Sequence, residues 1–81
     1  MRIDKFLKNS RIIKRRQVAK SACEDGRVKV NGSIAKPSTE VKEGDEVEVT
    51  FGNRILNVKV KYLIEGAKKD NAYDMYEEIN E

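Results

Sequence analysis

The side chains with the most evident chemistry are Arg2, Lys5, Lys8, Arg11, Lys14, Arg15, Arg16 and Lys20, which face a single carboxylate, Asp4, within the first 20 residues. Their chemistry is anion recognition. Arginine grips phosphate through paired N–H donors and stacks on bases, whereas lysine acts as a point charge. The excess persists beyond this stretch: the first 36 residues hold 11 Lys and Arg against 3 Asp and Glu, a balance of +8. The other 45 hold 6 against 11, a balance of −5. The net charge of +3 therefore conceals a dipolar chain. A dense basic segment beside an acidic remainder is the electrostatic footprint of a polyanion binder. A merely solvated charge is the alternative for any one of these residues, but it accounts poorly for the group.

Catalytic chemistry finds no comparable support. There is no histidine, no recognisable nucleophile–base pair and no Gly-rich phosphate loop. With no His and one Cys, a zinc site is not expected, and neither is a cofactor. Cys23 cannot form an internal disulfide, which suits a reducing cytoplasm. No apolar run approaches the roughly 18 residues that span a membrane, and Lys5, Lys8 and Arg11 interrupt any signal-peptide core. At 81 residues the chain makes one small domain.

The elements that must position the basic residues follow from periodicity. Ile3, Phe6 and Leu7 share one face of a helix over residues 3–10, with Asp4 near its start. A second helix over 15–25 carries a narrow stripe of Val18, Ala19, Ala22 and Cys23, and Gly26 is its stop. Lys14-Arg15-Arg16 offers no cap, and three bases at a helix N-terminus oppose its macrodipole. A phosphate arriving there would offset that conflict. From Arg27 the period becomes two. Val28 and Val30 lead into Asn31-Gly32, a strong hairpin signal, and Ser33 to Ala35 return. Pro37 breaks the pattern and Val41 anchors the loop. Val47, Val49 and Phe51 alternate, Gly52-Asn53 turns, and Leu56, Val58 and Val60 come back on one face. Residues 66–71 read as a linker, and the tail from Ala72 forms a short amphipathic helix through Tyr73, Tyr76 and Ile79. The predicted fold is α+β: two N-terminal helices packed on a small, mostly antiparallel β-sheet, with a short C-terminal tail. The predicted organisation is a domain over 1–65 and an acidic tail over 66–81.

Met1-Arg2-Ile3-Asp4-Lys5-Phe6-Leu7, Ser10-Arg11, Arg16, Ala19, Gly26-Arg27-Val28-Lys29-Val30-Asn31-Gly32, Lys36-Pro37-Ser38, Val41 and Gly44-Asp45 keep the order and spacing of a known module. Over about residues 1–48 the chain resembles the S-four RNA-binding domain, whose two helices and intervening loop form the αL RNA-binding motif. One departure is Arg15, where many such domains have Ser or Thr before the arginine of the second helix; a cap is exchanged for a charge. Length, Phe51-Gly52 at the hairpin and Met75-Tyr76 in the tail extend the resemblance to the RqcP family of bacterial ribosome quality control. The related heat-shock protein of fifteen kilodaltons carries a longer, basic C-terminal extension, whereas the tail here is short and acidic.

The resemblance implies a non-enzymatic, cytoplasmic, ribosome-associated factor. Its implied partners are the large ribosomal subunit, large-subunit rRNA, P-site peptidyl-tRNA and RqcH, whose alanine tailing of stalled chains it would support, acting as a monomer. Arg2 and Arg16 are the implied rRNA contacts. Two alternatives are a large-subunit rescue factor in heat stress and an accessory domain for an RNA-modifying enzyme. Such domains are also appended to pseudouridine synthases and tyrosyl-tRNA synthetases, but Met1 directly on the motif leads us to expect a free-standing protein. Among individual residues, Arg11 can instead brace the turn between helices. Asn31 and Gly32 read as structural, Asp4 as a cap or a partner for a nearby arginine, and Cys23 as a small core residue. Lys29 and Lys36 extend the patch or simply coat the sheet. Tyr62, Tyr73 and Tyr76 read as packing residues, and the acidic tail as a solubilising end or one that repels RNA from all but one face.

Overall fold

In the computed structural model, which describes residues 1–79, the apolar triad Ile3, Phe6 and Leu7 is completely buried and fixes helix α1 (Ile3–Asn9). No side chain caps α1; its first amides donate instead to the carbonyls of Thr39 (2.7 Å from Ile3 N) and Pro37 (3.4 Å from Asp4 N). The loop that Pro37 interrupts thus satisfies donors that every helix start leaves orphaned.

Helix α2 (Arg16–Glu24) buries Ala19, Ala22 and Cys23, small side chains that let α1 approach closely. Val18, expected on the same stripe, is 48% exposed, because the narrow contact admits only one edge of the helix. Gly26 ends α2 at φ +76°. Its N–H donates to Cys23 O and that of Arg27 to Ala22 O, both at 3.0 Å, the bond pair of a Schellman cap. Burial pushes the Cys23 thiol up to about 11, with Asp4 and Glu24 adding to the shift, so the thiol is held protonated.

Strands β1 (Val28–Val30), β2 (Ser33–Ile34), β3 (Glu46–Phe51), β4 (Arg54–Val60) and β5 (Tyr76–Glu78) form one antiparallel sheet in the order β2-β1-β3-β4-β5. Asn31 (φ +51°) and Gly32 (φ +85°) supply the two positive φ values that a type I′ turn demands. Asn31 also clamps the start of β3: its Oδ1 accepts Glu46 N–H (2.9 Å) and its Nδ2 donates to Asp45 (3.2 Å). Val28, Val47, Val49, Val58 and Val60 are buried in one core with the α1 triad, Ile13, Val41 and Met75. The α+β fold is as the periodicity predicts.

The tail departs from the predicted helix through Tyr73, Tyr76 and Ile79. A single helical turn, α3 (Lys69–Ala72), begins inside the expected linker and ends on the first residue of the predicted tail helix, a 3₁₀ turn follows (Tyr73–Met75), and β5 then pairs with β4. Sheet-edge chemistry explains the change. The free edge of β4 needs partners, and Met75 O accepts from Lys61 N–H (2.8 Å) and Tyr62 N–H (3.3 Å) while Ile79 N–H reaches Asn57 O (2.8 Å). Ala72 and Met75 are fully buried, so the tail closes the core. The last two residues of the predicted tail, Asn80 and Glu81, lie outside the described residues. None of the described helices is long and apolar enough to cross a membrane.

Candidate nucleic-acid interface

Asp4 is the centre of the basic face. It is 2% exposed, and both its oxygens are engaged. Oδ1 accepts the backbone N–H of Lys5 at 2.8 Å and lies 3.4 Å from Arg16 Nη2; Oδ2 lies 3.2 Å from Arg2 Nη2. One buried carboxylate on α1 therefore joins the guanidinium that precedes this helix to the one that opens α2. Both arginine side chains remain about half exposed, at 45% and 48%. Asp4 is thus the arginine partner expected from its position, and the residue that ties the two helices electrostatically.

The loop between the helices is shaped from below. Ser10 is completely buried and its hydroxyl donates to Leu7 O (3.3 Å). Ile13 is buried, and its N–H reaches Leu7 O at 3.1 Å. Between them Arg11 adopts φ +62°, a left-handed conformation that costs a side chain other than glycine roughly 1–2 kcal/mol. Spacing carries no sign of this. Arg11 is exposed, and its N–H donates to Lys8 O (3.1 Å). Strain of this kind is retained at functional sites. Arg11→Gly is expected to raise stability by roughly 0.5–1 kcal/mol, the relieved strain less glycine's extra entropy, while weakening binding to RNA. Chemical denaturation and a binding titration on the same variant check both signs.

Lys14, Arg15 and Arg16 enter α2 as expected. Arg15 is the N-cap in an extended conformation, and no side chain satisfies the helix start. Lys8, Arg11, Lys14, Arg15 and Lys20 are exposed and make no ion pair among the described residues. Lys20 lies one turn beyond Arg16, on the same side of α2. Lys5 differs: it is partly buried and pairs with Glu65, in the segment after β4, and its ammonium holds that carboxyl below the ordinary carboxylate range. Of the eight residues, five thus keep open charge, Arg2 and Arg16 are tied to Asp4, and Lys5 is offset by Glu65. Lys29 is engaged on the sheet, 3.7 Å from Glu48, and Lys36 is exposed on the loop after β2.

Elsewhere the sheet holds a concavity of about 340 Å³ lined by Lys29, Asn31, Glu46, Glu48 and Asn57 among others, of mixed charge. Among the described residues no group of three or more metal-ligating side chains forms. Two helices set at a phosphate-compatible face, with a rigid loop between them, can read a folded polyanion by charge and shape.

The family model of the S4 domain matches residues 1–47, the segment that contains α1, the strained loop, α2 and the first hairpin. The chain belongs to the S4-domain family. Several curated relatives match over the full length. The "RQC P-site tRNA stabilizing factor" of Streptococcus pneumoniae is 56% identical, over 100% of this chain and 92% of that protein. Its namesake in Listeria monocytogenes is 54% identical, over 100% and 88%. Among solved structures, Heat Shock Protein 15 of Vibrio cholerae superposes with a TM-score of 0.90 at 29% identity, covering 98% of this chain and 81% of its own. The S4-domain match confirms the module expected from the Arg2-to-Asp45 pattern, and the full-length relatives confirm the quality-control family suggested by the hairpin and tail.

Proposed function

We propose that this chain is a non-enzymatic factor of bacterial ribosome-associated quality control. Its α1–α2 face docks on large-subunit rRNA and P-site peptidyl-tRNA of an obstructed large ribosomal subunit in the cytoplasm. There it supports the addition of alanine by RqcH to the stalled chain. The observation that carries this is the basic face organised on Asp4, in a chain whose full-length relatives are named for stabilising a P-site tRNA. Names of this kind, and a family of RNA-binding domains, fit a binder and not an enzyme. Arg2, Arg16, Arg11, Lys8, Lys14, Arg15 and Lys20 supply the contacts, with Lys5 at the margin. In this reading the protein acts as a monomer, each copy carrying its own α1–α2 face. The docking module is assigned to residues 1–65; in the tail after it, β5 completes the sheet, and the tail's acidic charge repels RNA from all but one face.

Co-sedimentation tests the proposal. The purified protein should travel with obstructed large subunits, and its staying at the top of the gradient in their presence would refute it. Binding should also weaken with salt, log affinity falling linearly with log concentration by about 0.7–0.9 for each phosphate contacted. A flat salt profile would contradict a phosphate-based interface. The likeness to Heat Shock Protein 15 favours a second reading, a large-subunit rescue factor in heat stress. Deletion that leaves alanine tails intact would support that reading over the first. Changed rRNA or tRNA modification on deletion would point instead to an accessory role for a modifying enzyme.

A further inference from the structure

We propose that Asp4 is a positioning residue that gives the basic face its preference for folded RNA over flexible strands. This rests on the assignment of the α1–α2 face as an RNA-docking surface. A face that needed only positive charge would gain nothing from a carboxylate beneath it, since Asp4 offsets part of the field that attracts phosphate. Yet Asp4 is 2% exposed, and its lone pairs are divided among three donors: the Lys5 N–H of α1, Arg2 just before that helix and Arg16 at the start of α2. The Lys5 N–H bond, the shortest of the three at 2.8 Å, fixes the carboxylate to the helix backbone. Arg2 and Arg16 are then held at a set separation by one rigid group.

Each guanidinium has five N–H donors and spends one on Asp4, and about half of each side chain is open to solvent. The remaining donors face outward already ordered, so less side-chain freedom is lost on binding. Two fixed guanidinium groups match phosphates only where the RNA itself holds a fixed spacing. A folded RNA meets that condition, and a single strand that can adjust does not need it. Bulk electrostatics and positioning therefore differ in the sign of their effect. Removing the carboxylate charge strengthens every RNA complex under the first and weakens the folded-RNA complex under the second.

The variant Asp4→Asn is isosteric. It keeps one acceptor for Lys5 N–H and turns an amide donor toward a guanidinium, which releases that arginine. The full chain and this variant are titrated, at one salt concentration, against large ribosomal subunits carrying P-site tRNA and against poly(U). We expect about tenfold weaker binding to the subunits, the size of one misplaced charged contact, with binding to poly(U) unchanged or tighter. Equal or tighter subunit binding by the variant, while the wild type prefers subunits to poly(U), overturns the role of Asp4 alone. A wild type without that preference overturns the docking surface itself. Should Asp4→Asn fail to fold, Arg2→Lys with Arg16→Lys keeps the charge and removes the planar groups that Asp4 aligns. It should show the same loss of preference, and wild-type preference in that variant overturns the proposal.

Discussion

Alanine at both Arg2 and Arg16 is expected to lower affinity for obstructed large subunits by roughly 10²–10⁴-fold, from ~1.5–3 kcal/mol for each charged hydrogen bond removed. These arginines are distinguished from the other bases of the face by being both half exposed and held from beneath. The same geometry gives the double variant a structural cost. Asp4 keeps its bond to Lys5 N–H but loses both guanidinium partners. Because the arginines are half exposed, solvent screens the pairs and water enters as they are truncated, so the expected loss of stability is modest, about 1–2 kcal/mol. Adding Asp4→Asn removes the unpaired charge. The triple variant should recover stability without recovering binding. Thermal melts and co-sedimentation of the two variants separate the effects, and a double variant that binds within a few-fold of wild type would exclude this face.

The largest effect on folding is expected from Phe6→Ala. Phe6 is the largest of the completely buried side chains, and truncating a buried phenylalanine costs about 3–5 kcal/mol. A domain of this length commands only roughly 4–12 kcal/mol in total. Helix α1 spans seven residues, well below the roughly 12–15 at which an isolated helix becomes even marginal. Its helical state therefore depends on what Ile3, Phe6 and Leu7 bury. Loss of that anchor removes Arg2 and Asp4 from the face as well as destabilising the sheet beneath. The denaturation midpoint should fall steeply and RNA binding should fall with it. Val18→Ala, at a half-exposed position on α2, is the control and should alter either property little. A Phe6→Ala protein that melts near wild type would mean that α1 is held by something other than its apolar face.

How much of this was visible beforehand depends on how local the cause is. The α1 face, the Gly26 stop, the Asn31-Gly32 turn and the alternation of Val47, Val49, Val58 and Val60 are set by near neighbours, and periodicity exposes each. The tail was misread because Tyr73, Tyr76 and Ile79 have helical spacing. What decides their state is the open edge of β4, a partner distant in sequence. Val18 fails for a related reason: which edge of a helix is buried depends on the helix it meets. Residue type and charge density mark every cation of the proposed face, and the family resemblance singles out Arg2 and Arg16. The offset of Lys5 by Glu65 and the junction of Arg16 with Asp4 depend on contacts across the fold. The positive φ of Arg11 belongs to a residue type that gives no local warning of it.

The central claim is that α1, the strained loop and the start of α2 form the RNA-contacting surface. A structure of this protein on an obstructed large ribosomal subunit with P-site peptidyl-tRNA tests it most directly. The expected result is density that places Arg2, Arg16 and Arg11 within hydrogen-bonding distance of RNA phosphates, with β5 and the acidic tail turned away. A map in which the sheet faces the RNA and the α1–α2 face looks into solvent would contradict the account.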